Sequence, residues 1–315
     1  MNALRSSELS LALLFACTVK ATILLGFAWV IVSVSRRRSA AFRHLVWSLA
    51  ILGSLTLPLL TLLLPAWHST TLANASGLWT SSHGIAPIPG TQTMPSMIVN
   101  ASTTVSFFSK LGSLALMAWA AGFLFVGVGL AGGLALIAWV SSRAKPLFEN
   151  DWMRDVVEIS ARLKIARPVR VLECSNSAAM PLTWGFFRPF ILLPAGARDW
   201  TPDRRRIVLC HELAHIARGD WLLQVFAELT RGFYWFHPLA WIAAARLRQE
   251  GERACDDSVL NCGITPSDYA HQLLELARTF ESSSRVWAAA LAFARPSNLE
   301  RRFTAMLNPS MDRRQ

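Results

Sequence analysis

Charge is what this sequence has least of. Only 16% of its 315 residues are Asp, Glu, Lys or Arg, against roughly 25% in an ordinary soluble protein, while 53% are hydrophobic. A wholly water-soluble globule is excluded, and part of the chain belongs in a membrane. Acidic residues are the scarcer sign, 20 against 31 basic, for a net charge of +11. In so apolar a chain this surplus points to the membrane surface and membrane lipid, so no direct nucleic-acid binding is expected. Paired cysteine motifs are missing too. Cys17, Cys174, Cys210, Cys255 and Cys262 are odd in number and show no CxxC spacing, which removes a disulfide framework and a thiolate zinc site and leaves reduced thiols. There is no internal repeat among the apolar segments.

Three apolar runs are present. Residues 10–34 are apolar except for Lys20, and about 25 residues at 1.5 Å each give roughly 37 Å, enough to cross a 30 Å hydrocarbon core. Arginines follow this run, with no small-residue cleavage site, which argues against a removable signal peptide. Lys20 is expected to pair within a helix bundle or to snorkel outward. A second span is predicted over 45–67, with Pro58 and Pro65 marking a kink and an end, and a third over 111–140. In the third, Gly127, Gly129, Gly132 and Gly133 read as a close helix-packing face. Arg36, Arg37, Arg38 and Arg43 crowd the first connection, whereas the loop 68–110 carries one basic residue, Lys110. The positive-inside rule then places the N-terminus outside and everything after Val140 in the cytoplasm. The outer loop is rich in Ser, Thr, Asn, Gly and Pro, and its Asn74 and Asn100 match the glycosylation acceptor pattern, a match easily accidental in such composition.

Residues 1–143 thus form a transmembrane domain and 144–315 a cytoplasmic domain. A short amphipathic helix around Val156 to Leu163 precedes two strand-like runs, Val169 to Leu172 and Phe190 to Leu193. Thr201 as N-cap, Pro202 at the first helical position and Gly219 as a stop predict a helix over 202–218. That helix carries His211-Glu212-Leu213-Ala214-His215, an HExxH pentad. Residues four apart share a helix face, so His211 and His215 can bind one Zn²⁺ while Glu212 serves as the general base. Arginines 204–206 and Arg218 flank it, which puts the metal in the cytoplasm or at the bilayer surface.

A catalytic zinc commonly takes three protein ligands. A metzincin would need glycine and histidine where Arg218 and Trp221 stand, so that class is excluded. On the next long helix Glu252 shares a small, mostly apolar face with Ala245, Cys255, Asp256 and Val259, whereas Glu250 shares a solvated one with Arg246, Arg253 and Asp257. Glu252 is therefore the predicted third ligand and Asp256, one turn on, an acceptor behind a ligand histidine or a neighbouring arginine. Asp220 either orients His215 or caps the following helix. His237, before a proline at a helix start, reads as a capping or core residue. Ile191, Leu192 and Leu193 are a candidate edge strand on which an extended substrate could pair, or a plain core strand.

Pro181-Leu182-Thr183-Trp184-Gly185, Arg188 through Pro194, the pentad, Phe236-His237-Pro238-Leu239-Ala240-Trp241 and Glu252-Arg253-Ala254-Cys255-Asp256 together resemble the metallopeptidase domain of the BlaR/MecR family of antibiotic-sensing transducers. The order and spacing agree from the first span to about Leu307. The resemblance implies a membrane α-helical protein with an α+β gluzincin-like zinc metallopeptidase domain, one zinc held by His211, His215 and Glu252, and Glu212 as base. It also implies a bacterial cytoplasmic membrane location and a cytoplasmic substrate, a DNA-binding repressor cleaved or inactivated in response to an envelope or antibiotic signal. Self-cleavage in the family maps near Arg301 and Arg302, where a basic membrane-surface helix is an equal explanation.

The sequence departs from the family pattern where those sensors continue into a fourth span and an extracellular penicillin-binding domain. Val286 to Ala294 is too short to cross, so a sensor is expected to be missing or supplied by another protein, with a homodimer the other candidate partner. Two rival functions stand beside regulatory proteolysis: membrane-protein quality control, and a zinc-stabilised transducer without catalysis.

Overall fold

The computed structural model describes residues 2–63, 101–176 and 180–281. Three long helices come first: α1 (Asn2–Val34), α2 (Ala40–Leu63) and α3 (Ala101–Arg143). Within them Ser10–Val34, Ala40–Leu63 and Lys110–Arg143 are each long and apolar enough to cross a membrane. A helix closes its own backbone hydrogen bonds, which is what a hydrocarbon solvent requires of such sequences. The second helix begins five residues before the expected start at Leu45, so Arg43 and His44 are helical, and Pro58 lies inside it without ending it. The third is longer at both ends than 111–140.

The glycine face predicted on α3 does not pack as expected. A Cβ built on Gly127, Gly129 or Gly132 meets nothing within 4 Å, because no other described element lies against that side of the helix. Lys20 is exposed on α1, on the outward side of its two alternatives. Of the expected loop 68–110, residues 68–100, Asn74 and Asn100 among them, lie outside the described residues, as do Val286 to Ala294, Arg301 and Arg302, while 101–110 belong to α3 and are helical.

Over its described residues the chain groups into two compact units, one from Met1–Cys17 and Thr56–Ala120 and one from Thr18–Leu55 and Ala121–Gln315. In the first, Cys17 Sγ lies 3.5 Å from Thr61 Oγ1, and Gly112 faces the Leu11 side chain. The second unit holds the motifs. After β1 (Lys145–Pro146) come α4 (Asn150–Arg162), β2 (Arg170–Glu173), β3 (Leu182–Trp184) and β4 (Phe190–Leu193). Four helices follow: α5 (Pro202–Arg218), α6 (Asp220–Phe233), α7 (Pro238–Asn261) and α8 (Pro266–Glu281).

The strands form one sheet in the order β1-β2-β4-β3, with β2 and β4 parallel and the outer pairs antiparallel. Trp152, Val156 and Ile159 of α4, Val171, Ile191 and Leu193 of the sheet, and Leu209 and Leu213 of α5 form its core. Arg205 and Asp155 cross that core as an ion pair at 2.6 Å, both buried. A second apolar cluster joins Leu25 and Ala28 of α1 and Trp47, Ala50 and Ile51 of α2 to Ala227, Ala243, Ala244 and Leu247 of α6 and α7.

This topology corrects one expectation. Ile191, Leu192 and Leu193 are not an edge: β4 is paired on both sides, and all three residues are buried, at 0–2% exposure. The parallel β2–β4 pairing places β4 inside the sheet, and the edge strand beside it is β3, with β1 at the opposite edge.

Candidate metal centre

Helix α5 is built as its sequence dictates. The Thr201 side chain accepts from the Arg204 N–H at its start, Pro202 needs no amide donor there, and Gly219 closes it with φ 69°, a conformation only glycine adopts without strain. His211 and His215 then lie one above the other with ring centroids 5.0 Å apart. The Glu252 carboxylate from α7 straddles them, one oxygen 3.7 Å from Nε2 of His211 and the other 3.7 Å from Nε2 of His215.

The far nitrogens are tied back. His215 Nδ1 lies 2.7 Å from Asp220 Oδ2, and His211 Nδ1 lies 3.1 Å from the hydroxyl of Tyr269. That hydroxyl donates its proton to Asp256 Oδ1 at 2.6 Å, so its oxygen is left to accept from His211 Nδ1–H. Each Nδ1 thus has a partner of its own, and with a metal bound the Nε2 atoms would be the ones turned to it beside Glu252. Two imidazoles and one carboxylate converging on a point are a donor set that fits a zinc ion.

Cys255 offers an alternative third donor, since its thiol and one nitrogen from each histidine lie within 4.8 Å of one another. The thiol is fully buried, burial pushes its pKa up, and it receives a hydrogen bond from Arg218 Nη2 at 3.3 Å. A protonated thiol facing a guanidinium is a poor ligand, whereas Glu252 already faces both Nε2 atoms.

Around this set lies an ionic network. Arg218 donates to Asp220 and, at 2.7 Å, to the Gly251 carbonyl, joining the end of α5 to α7. Burial alone would raise the Asp220 pKa, but Arg218 first and then His215 hold its carboxyl well below the usual carboxylate range. His44 of α2 places Nε2 at 3.5 Å from Asp220 Oδ1. The neighbouring Arg43 pairs with Glu250 at 2.8 Å, and Arg253 holds the other Glu250 oxygen at 3.0 Å. Glu250 is therefore buried, not solvated as its helix face suggested, because an arginine 207 positions away reaches it.

Glu212 is buried and fixed from the sheet: Thr183 Oγ1 of β3 donates to its Oε2 at 2.7 Å. Of the predicted site residues, the structure gathers His211, His215, Glu252, Asp220 and Asp256 around one point, with Glu212 held on the same helix. His237 instead occupies the N-cap position of α7, its ring 2.8 Å from Thr22 Oγ1. Thr183, Tyr269 and His44 were not singled out by the sequence, and Arg218 was read only as a basic flank of the pentad. Thr183 lay within a quoted motif; Tyr269 and His44 carry no local signal.

A family model described as BlaR1 peptidase M56 matches residues 12–306. This chain belongs to that family. It is thus a membrane protein of a metallopeptidase family, with three helices among the described residues long and apolar enough to span. Regulatory protein BlaR1 of Bacillus licheniformis is 30% identical over 140 residues, 44% of this chain and 23% of that protein. The methicillin resistance mecR1 protein of Staphylococcus aureus is 20% identical over 114 residues, 36% of this chain and 20% of that protein, and its Staphylococcus epidermidis counterpart matches equally. The chain spans about a quarter or less of the length of these curated relatives.

Proposed function

We propose that this chain is an integral-membrane zinc endopeptidase of regulatory proteolysis, with His211, His215 and Glu252 as metal ligands and Glu212 as general base. The observation that carries this reading is the single Glu252 carboxylate set 3.7 Å from both Nε2 atoms while both Nδ1 atoms are held from behind. A zinc ion held there supplies a Lewis acid that polarises a peptide carbonyl and brings the pKa of water towards neutrality.

The chain's own residues do the rest. Glu212 takes the proton of the attacking water and passes it to the leaving amine, and Thr183 keeps its carboxylate oriented for both transfers. Asp220 and Tyr269, backed by Asp256, keep the imidazoles in register. The edge strand β3 lies beside the HExxH helix, and an extended substrate adds to it as a further strand. Residues 144–315 are read as a gluzincin-like α+β domain attached to the membrane domain 1–143, a reading supported by the four-stranded sheet and the helices among its described residues. This domain faces the cytoplasm and the N-terminus the outside, a reading that the basic first connection supports.

The names of the relatives, a regulatory protein and methicillin resistance proteins, support a regulatory role. Its substrate is a cytoplasmic DNA-binding repressor. In the test, Glu212→Gln keeps zinc at one per chain but abolishes cleavage of a candidate repressor when the purified full chain is assayed. Retained cleavage removes Glu212 from the mechanism, and metal bound without cleavage in the unsubstituted chain under inducing conditions marks a non-catalytic transducer.

A further inference from the structure

We propose that α6 and α7 form a re-entrant hairpin whose tip, residues 232–245, lies in the hydrocarbon core of the bilayer. This rests on α1, α2 and α3 being spans, and not on the metal assignment. Contacts with the middle of each span carry it. The apolar window Ser10–Val34 of α1 has its midpoint at Thr22, and Thr22 Oγ1 lies 2.8 Å from His237 Nε2 in the hairpin turn. The window Ala40–Leu63 of α2 is centred beside Ile51, whose carbonyl accepts from Thr230 Oγ1 at 3.4 Å. Three residues on, the Ser54 carbonyl accepts from Tyr234 Oη at 3.1 Å. The window Lys110–Arg143 of α3 is centred beside Val126, whose Cγ1 would lie 3.3 Å from a Cβ on Gly232. Phe123 of the same helix meets Phe233 edge-on.

The metal site keeps to the other end. His44 lies near the start of α2, and Trp184 of β3 bonds Ser141 near the end of α3. On α7, Glu252 and His237 are about 15 residues apart, roughly 22 Å at 1.5 Å per residue, a large part of a ~30 Å core. The catalytic end therefore stands at the membrane surface while the hairpin reaches the midplane.

Tip chemistry suits that depth. Residues 232–245 contain no Asp, Glu, Lys or Arg but hold Phe233, Tyr234, Trp235, Phe236 and Trp241. Phe236 and Trp241 are 45% and 46% exposed, so large aromatic surfaces face outward from the middle of the spans. Polar groups in the turn are mostly paired inside: the N–H groups of Tyr234, His237 and Ala240 find carbonyls, and Trp241 Nε1 donates to the Trp235 carbonyl at 2.7 Å. His237 Nδ1 is the exception. Just below the tip, Glu228 is buried between Arg231 at 2.5 Å and Arg248 at 3.3 Å, and Arg231 stacks on Trp241. Charges at membrane depth are tolerated when they are paired, and here Glu228 offsets one of the two arginine charges while the Trp241 ring faces Arg231.

Spin labels at single introduced cysteines test the proposal in the full chain reconstituted in lipid nanodiscs, with the signal of the unsubstituted chain subtracted. Phe236→Cys and Trp241→Cys should give labels open to dissolved oxygen and closed to a water-soluble nickel chelate, matching Phe125→Cys on the exposed side of α3, whereas Val157→Cys on α4 should show the reverse. Either tip label reaching the nickel chelate as readily as the Val157 label, with Phe125 in lipid, overturns the hairpin proposal alone. Tip labels closed to both reagents also overturn it, because protein from a second copy then covers the tip. A Phe125 label in water overturns the span reading and the hairpin with it.

Discussion

The two imidazoles of the candidate site are steadied by different chemistry. Behind His215 stands a full charge: Asp220, itself gripped by Arg218 and faced by His44 from a membrane helix. Behind His211 stands a neutral hydroxyl, Tyr269, which relays the buried Asp256 carboxylate from within the core of α5, α7 and α8. One histidine is thus held by an ion network that reaches α2, the other by a hydrogen-bonded chain inside the soluble core. The first arrangement is strong but leaves several buried charges stranded if any member is lost; the second loses less when it is cut.

Asp220→Ala is expected to have the largest effect. It frees His215 Nδ1 and leaves the buried Arg218 guanidinium without its carboxylate. Zinc affinity should fall about 100-fold by chelator competition, and folding stability by about 3 kcal/mol in thermal melts. Tyr269→Phe should cost less on both counts: about tenfold in zinc affinity and about 1 kcal/mol in stability, since Asp256 Oδ1 is already 3.6 Å from His211 Nδ1 and can close on it. Equal losses from the two substitutions would erase the distinction between the two supports.

The asymmetry also marks what could be read from the sequence. The spans follow from apolar length, α5 from Thr201, Pro202 and Gly219, and the three converging donors from the i, i+4 offset and the apolar face of Glu252, all local properties. Asp220 and Asp256 are legible for the same reason, each lying within five residues of a proposed ligand in the chain. Tyr269 is 58 positions from His211, and Arg43 is 207 from Glu250, so only the assembled fold brings them together. Strand order is equally non-local: nothing in Phe190 to Leu193 says that β3 turns back to take the outer position, which is why the inner strand looked like an edge. Glu250 was misread because its helix face is right for solvent until α2 covers it.

The smallest effect should come from His44, and it sharpens the comparison most. Its Nε2 stands 3.5 Å from Asp220 Oδ1, at the long end of a polar contact, so His44→Ala should weaken zinc binding only about threefold, well below the usual range for partners of a ligand. His44→Gln places an amide nitrogen near the same point and should recover most of that loss. The same two changes combined with Asp220→Ala should add nothing, because the residue they act through is gone. A full additional threefold loss in the double variant would show that His44 reaches the metal site by another route, through Gly251, whose built Cβ meets the His44 ring at 3.4 Å. If the double variant adds nothing, His215, and not His211, is the proposed ligand whose support extends into a membrane helix.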